Sequence, residues 1–170
     1  MPNPYFQFKQ FTVRHDKCAM KVGTDGVLLG AWAPVQDAKR ILDVGAGSGL
    51  ISLQLAQRNP EAAITSVEID PAAAAQAQEN IQSSPWNHRM EVVCCDFRKY
   101  HPEDRFDLIV SNPPYFVDAL KCPDNQRCMA RHTSELSYEL LFGHSTHFLS
   151  ERGSISIIIP AEVEKTVVDT

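Results

Sequence analysis

Short apolar runs alternate along this chain with longer stretches whose apolar residues recur every third or fourth position. The short runs are Arg40-Ile41-Leu42-Asp43-Val44, Ala63 to Val67, Met90 to Cys95, Phe106 to Val110 and Ser154 to Ile159. Each has the length and the β-branched content of a strand. Between the first two, Leu50 to Arg58 reads as a helix, with Leu50, Leu53 and Ala56 on one face beside Ile51 and Leu55. The alanine-rich run Ala72 to Gln82 reads as the next helix, with Asp70 as its cap, Pro71 at the first helical position and Pro85 beyond its end. A third helix is expected to carry Leu136, Leu140, Leu141 and Phe148 and to close at Gly153, and the residues from Ala161 onward open another. Upstream, Phe6, Phe8 and Val13 alternate weakly, as in a short strand or hairpin, and Val27 to Ala33 reads as a short buried helix that starts at Thr24 or Asp25 and stops before Pro34. Strands and helices in alternation predict an α/β fold with an open, doubly wound, mostly parallel sheet.

Repeats, low-complexity tracts and linkers are missing, so residues 1–170 read as a single domain, with 1–35 an N-terminal extension on the cofactor and substrate side and 36–170 the core. Composition is that of a soluble protein, without an apolar run long enough to span a bilayer and without a signal-peptide pattern. Five cysteines lack any C-x-x-C spacing, and Cys94 and Cys95, adjacent on a strand, point to opposite faces. The expectation is a cytoplasmic protein with neither disulfide nor metal, in which Cys122 and Cys128 are inert loop residues. The net charge of −5 and pI near 5.6 argue against indiscriminate nucleic-acid binding. Two local basic clusters stand out against it: Lys9, Arg14, His15, Lys17 and Lys21, then Lys121, Arg127, Arg131 and His132.

The residues able to do chemistry fall at strand ends, where a doubly wound sheet binds its ligands. After the first core strand comes Gly45-Ala46-Gly47-Ser48-Gly49, after the second Glu68, after the third Asp96-Phe97, and after the fourth Ser111-Asn112-Pro113-Pro114-Tyr115. The glycines let backbone approach a ligand and take unusual dihedrals. Glu68 lies where an acidic residue can bind both ribose hydroxyls. A dinucleotide fingerprint would put its third glycine at Leu50, so the loop fits a nucleoside without a diphosphate better. Paired prolines stop both helix and ladder, which leaves the side-chain amide of Asn112 and the carbonyl of Pro113 beside an aromatic plane. Such a pair of acceptors can hold a planar molecule that carries an NH2 group.

With these residues in order, the chain resembles the class I S-adenosylmethionine-dependent methyltransferases of the amino-methylating branch, whose hallmark is the Asn112-Pro113-Pro114-Tyr115 motif. The stretch from Met20 to Trp32 and Ala130-Arg131-His132 are similar to the bacterial adenine N6-methyltransferases that modify a valine tRNA beside the anticodon. This resemblance implies a Rossmann-like class I methyltransferase fold that ends in a β-hairpin. The residues after Pro160 are too few to supply that hairpin, so the chain reads as truncated before it. The resemblance further implies S-adenosylmethionine as cofactor, with Asp43, Gly45, Gly47 and Gly49 around its methionine part, Glu68 on ribose, and Asp96 and Phe97 on adenine. It adds Thr24, Asp25 and Lys21 as an N-terminal cofactor motif, with Lys21 on the cofactor carboxylate. Asn112 would touch both cofactor and target, Asn112, Pro113, Pro114 and Tyr115 would receive the base, and Arg131 and His132 would contact tRNA.

Plainer readings stand beside these. Asp25 and Asp70 can be helix caps, Phe97 core packing, and Arg131 and His132 a cap for the helix that follows. The motif also suits a protein glutamine N5-methyltransferase or a DNA adenine methyltransferase, and the glycine loop a nucleotide-binding module without catalysis. The first of these rivals usually has an N-terminal helical domain, and the second a target-recognition domain; neither is seen here.

Overall fold

A computed structural model describes residues 3–113 and 136–168. The Asn-Pro-Pro-Tyr motif is therefore described as far as Pro113. Pro114, Tyr115, Cys122, Cys128, Arg131 and His132, with the roles given to them, lie outside the described residues.

Five strands form one parallel sheet: β3 (Arg40–Val44), β4 (Ala63–Glu68), β5 (Met90–Cys94), β6 (Phe106–Ser111) and β7 (Leu149–Ile157), in the order β5-β4-β3-β6-β7. The chain winds outward from β3 through β4 to β5, then returns to the other side of β3 with β6 and β7. Strand order thus reverses between β3 and β6, and the crevice beyond their carboxyl ends is where this architecture binds ligands.

Alternation along the strands builds two cores. Ile41, Ile64, Leu108 and Val110 face one of them, together with helices α1 (Thr24–Trp32), α2 (Leu50–Arg58) and α3 (Pro71–Gln82). Leu42, Val44, Val67 and Ile109 face the other, against Leu141 of helix α4 (Tyr138–Thr146). A helix α5 (Glu164–Val168) follows Pro160. Before the core, β1 (Tyr5–Gln7) and β2 (Thr12–Arg14) pair antiparallel as a ribbon, the hairpin expected from the alternating aromatics.

Three helix boundaries follow the local chemistry. The side chain of Asp70 accepts the Ala72 N–H at 3.0 Å, and Pro71 opens α3 where no amide partner is needed. Gly49 (φ +78°) caps α2, and Ser137 caps α4 by accepting the Leu140 N–H at 3.2 Å. Helix α1 begins at Thr24, but its cap is Gly23 and no side chain serves it, so neither Thr24 nor Asp25 is the cap.

Gly153 does not close a helix. It lies inside β7, which starts at Leu149 rather than Ser154 and ends at Ile157 rather than Ile159. A Cβ at Gly153 would stand 2.8 Å from the Phe106 carbonyl, at a register shift between β6 and β7, so the glycine permits a close backbone approach. The first half of β7 exposes Glu151 and Arg152 on the outermost described strand, which hides its strand character from the apolar pattern. Helix α4 ends at Thr146, and Phe148 enters the core from the turn that follows.

Candidate active site

The loop after β3 is shaped by three left-handed glycines, Gly45 (φ +73°), Gly47 (φ +55°) and Gly49 (φ +78°). Any other residue would be strained in these conformations. Gly45 and Ala46 both donate to the Val67 carbonyl, at 2.8 and 3.1 Å, which ties the loop to the end of β4. Glu68 continues that tie: Oε2 accepts the Gly47 N–H at 2.7 Å and Oε1 accepts the Asp70 N–H at 2.9 Å. Space is open where a Cβ would stand on Gly45 or Gly47, whereas a Cβ on Gly49 would meet Ala77 of α3 at 3.4 Å. Two glycines thus face open space and the third faces a helix.

Beneath the loop, Asp43 is fully buried. Its Oδ2 accepts the Ser52 N–H at 3.2 Å and the Ser52 hydroxyl at 2.7 Å, and that hydroxyl in turn accepts from Ser66 at 2.7 Å. Oδ1 has no hydrogen-bond partner among the described residues. Burial pushes the carboxyl up to about 6, against the opposing pull of the two Ser52 hydrogen bonds.

A cavity of about 320 Å³ opens at the carboxyl ends of the strands. Its walls hold residues from all four predicted strand ends: Gly45 and Gly47, Glu68, Asp96 with Phe97, and Asn112 with Pro113. Asp96 caps a 3₁₀ turn by accepting the Arg98 N–H at 3.0 Å, and the Arg98 guanidinium grips the same carboxylate, with Nε 2.9 Å from each oxygen. That grip, more than burial opposes it, holds Asp96 below the usual carboxylate range. Phe97 has two environments. It lines the cavity and also sits in the second core, edge-on to His144 with ring centroids 5.0 Å apart. Ser111 donates to the Val44 carbonyl at 2.8 Å and locks β6 to β3 just before Asn112. Asn112 Oδ1 is buried and unpartnered among the described residues. Its amide nitrogen lies 3.8 Å from where a Cβ on Gly26 would stand, so α1 packs close against it.

Other predicted site residues stand away from the cavity wall. Asp43 and Gly49 support the loop from below and behind. Thr24 is exposed on the first turn of α1, with Asp25 half-buried beside it. Lys21 does not reach the cavity: its ammonium donates to the carbonyls of His15 at 2.7 Å and Cys18 at 3.0 Å, and more weakly to Asp16 at 3.4 Å. It pins a turn whose residues Cys18, Ala19 and Met20 form one lip of the cavity. The same turn is held by His15, whose Nδ1 accepts the Val22 N–H at 2.9 Å. Sequence reading missed this lip, and missed Arg98. The signal for Arg98 was its position two residues after Asp96, within reach of the carboxylate it chelates. Burial and then the charge of Glu68 push the Cys18 thiol up to about 11, away from the thiolate form.

The charged groups on the wall are Glu68, Asp70, Asp96 and Arg98, so the described cavity is acidic overall. Among the described residues no cluster of three metal-binding side chains occurs, and no helix is long and apolar enough to cross a membrane.

Comparison with known proteins agrees with this geometry. A protein of Bacteroides thetaiotaomicron named tRNA1(Val) (adenine(37)-N6)-methyltransferase is 61% identical over 168 residues, covering 98% of this chain and 71% of its own. One of the same name from Bacteroides fragilis is 56% identical, covering 99% of this chain and 72% of its own. Among solved structures, the mitomycin 7-O-methyltransferase MmcR superposes with a TM-score of 0.59 at 18% identity, over 80% of this chain and 35% of that one, a likeness of fold. The family model described as methyltransferase small domain matches residues 19–166. The chain belongs to the methyltransferase small domain family and has the class I methyltransferase fold.

Proposed function

We propose that this chain transfers a methyl group from S-adenosylmethionine to the exocyclic N6 amine of an adenine in tRNA, the adenine beside the anticodon of a valine tRNA. The observation that carries the chemistry is Asn112 Oδ1, a buried acceptor without a partner among the described residues, at the end of β6 on the cavity wall. A buried amide oxygen left unpaired costs about 1–3 kcal/mol, which a donor from a bound molecule would recover. The choice of a tRNA adenine rests on the names of the relatives at 61% and 56% identity.

The residues present suit the cofactor that fold and family imply. Gly45 and Gly47 leave open space for its approach, and Glu68 and Asp96 offer carboxylates to hydroxyl and amine groups. The acidic wall favours a cation, and the volume falls within the roughly 300–1,000 Å³ usual for small-molecule sites. When bound, S-adenosylmethionine supplies a sulfonium-activated methyl: an N–C bond forms as the S–C bond breaks, and the nitrogen sheds one proton.

The chain's own work is on the amine. Its lone pair is delocalised into the purine ring, so the nitrogen is a weak nucleophile. Asn112 Oδ1 and the Pro113 carbonyl would accept the two amine hydrogens and draw the nitrogen toward a tetrahedral shape, its lone pair turned out of the ring plane. A neutral amide oxygen is far too weak a base to take the proton, which leaves for water. Orientation and fixed dipoles therefore carry the catalysis.

The test is a single incubation of the protein with labelled S-adenosylmethionine and bulk tRNA from cells that lack the modification, followed by digestion to nucleosides. Label in N6-methyladenine is expected. Label confined to protein would transfer the two-acceptor geometry to a glutamine amide and overturn the adenine reading. Asn112→Ala should lower kcat by about 10²–10³-fold, with cofactor affinity within a few-fold; full turnover by that variant would overturn the assigned role.

A further inference from the structure

The β1–β2 ribbon has no part in the chemistry above, yet it is fastened to the cofactor loop. Asn80 of α3, which is buried, accepts the Arg14 N–H at 2.9 Å and donates to the Arg14 carbonyl at 2.8 Å. The same amide nitrogen donates to the Ser48 carbonyl, inside the glycine loop, at 2.8 Å. One side chain therefore joins the end of β2 to the loop. One turn earlier on α3, buried Gln76 accepts the Lys17 N–H at 2.7 Å and donates to Asp16 at 3.0 Å. From there the chain enters the Lys21-pinned turn and the cavity lip. Ribbon, lip and loop are held together through α3.

The ribbon's two faces differ. Phe6 pairs with Val13, which is fully buried; Phe8, Phe11 and Trp86 form a chain of ring contacts in and against the first core, and Phe6, itself 46% exposed, touches its outer end at Phe8. On the opposite face Tyr5 pairs with Arg14, and Gln7 pairs with Thr12. Tyr5 is 42% exposed, and Arg14 and Lys9, at the turn of the ribbon, are exposed too. Of the cations here, Lys17 is paired with Glu79 at 2.7 Å and Lys21 is spent on carbonyls. The Arg14 guanidinium and Lys9 ammonium make no hydrogen bond or ion pair among the described residues. Asp16 is the one carboxylate from residue 5 to residue 21, in a chain whose net charge is −5. A local cationic surface with an exposed aromatic ring, on an acidic protein and joined at Arg14 to the glycine loop and, four residues on, to the cavity lip, is what an unpaired nucleic-acid strand requires: cations for phosphate and a ring for base stacking.

We propose that the outer surface of the β1–β2 ribbon, Tyr5 and Arg14 on one face and Lys9 at the turn, binds the RNA strand next to the target nucleotide. This rests on the reading of the substrate as tRNA. Arg14 and Lys9 contact phosphates and Tyr5 stacks on an unpaired base, while the tie through Asn80 keeps this contact at a fixed distance from the glycine loop.

The test uses an unmodified in vitro transcript of tRNA1(Val), with kcat and KM measured over a series of salt concentrations and S-adenosylmethionine affinity measured separately. Arg14→Ala and Lys9→Ala are each expected to raise KM for the transcript about five- to tenfold. Each should also flatten the log–log salt dependence by about 0.7–0.9, the share of one phosphate contact. Arg14→Lys should keep the slope. Tyr5→Ala should raise KM about tenfold with the slope unchanged, and Tyr5→Trp should restore it. Cofactor affinity and kcat should stay within about twofold in all of them, which also shows that the ribbon remains folded. Unaltered KM and slope in both alanine variants of the cations, with an active wild type, overturn the surface and leave the tRNA reading intact. A wild type that leaves the transcript unmethylated overturns that reading, and the surface with it.

Discussion

Asp43 makes a quantitative prediction about stability and pH. Burial raises its carboxyl from 3.8 to about 6 even though Ser52 donates two hydrogen bonds to it. The folded chain then binds that proton more tightly than the unfolded chain does. Stability from this source is fully present below the unfolded value, falls as pH climbs between the two values, and is gone above about 6. A gap of roughly two units, at 1.36 kcal/mol per unit, amounts to about 3 kcal/mol over the whole interval.

Asp43→Asn isolates this contribution. The variant keeps the shape and an oxygen for Ser52, cannot ionise, and leaves an NH2 group where Oδ1 has no partner among the described residues. That unpaired donor costs a constant ~1–3 kcal/mol at every pH. The difference in stability between variant and wild type should therefore shift in favour of the variant by about 2 kcal/mol from pH 4.5 to 7.5. Asp16, Asp96 and Asp107, all held below the usual range, give slopes of the opposite sign, lost as pH falls through their lowered values. They are common to both proteins and cancel in the difference. Urea denaturation of the ligand-free proteins at several pH values, followed by tryptophan fluorescence, provides the measurement. A difference that is flat with pH, or that moves against the variant as pH rises, would refute the buried-acid account of Asp43.

The two sides of the glycine loop should respond differently to a methyl group. Gly47→Ala and Gly49→Ala both force a left-handed alanine, at φ +55° and +78°, costing about 1–2 kcal/mol each in thermal or chemical denaturation. Gly47 lines the cavity and Gly49 faces Ala77, so the first is expected to weaken cofactor binding at least tenfold and the second only a few-fold; equal losses in a direct binding assay would contradict the assignment of the faces. Where α1 crosses α2, a Cβ on Gly30 would fall 2.2 Å from Gln54 Oε1 and 3.0 Å from Gln54 Cβ. Gly30→Ala should therefore destabilise by about 1–3 kcal/mol, and adding Gln54→Ala should recover part of the loss, whereas strict additivity in the double-mutant cycle would show that the contact is not the cause.

The parts of the site that were legible in the sequence are those whose chemistry is local. A glycine loop, a strand-end acid and an Asn-Pro step each advertise themselves within a few residues, because backbone conformation is decided there. The strands β3 and β4 were legible for the same reason, being buried on both faces and hence carrying apolar residues on both, Ile41, Leu42 and Val44 in one and Ile64 and Val67 in the other. The edge strand β7 was not, since its first half meets solvent and Gly153 resembles a helix stop. Lys21 misled in a similar way: a cation near a cofactor motif suggests an anion, but its ammonium lies among three carbonyls of its own turn. Arg98 was passed over because an i, i+2 ion pair leaves no periodic trace.

The least legible feature is the one that assembles the site. Gln76 and Asn80, four apart on the alanine-rich α3, carry polar side chains that suggest a solvated helix face. In the structure both are buried, and Asn80 meets Arg14 across 66 residues of sequence. An amide can be buried at such a position because a broken turn and a strand end present backbone groups with no ladder partner, and it supplies both a donor and an acceptor to them. Those groups belong to the ribbon on one side and the glycine loop on the other. Asn80 thus serves as the joint between the loop proposed to face the methyl donor and the ribbon proposed to hold the RNA, while Gln76 holds the turn between ribbon and cavity lip. A shift of the ribbon cannot leave the loop undisturbed while Asn80 bonds to both. Ribbon and glycine loop are joined through one buried side chain, and the join spans a sequence distance that no reading of neighbouring residues could reveal.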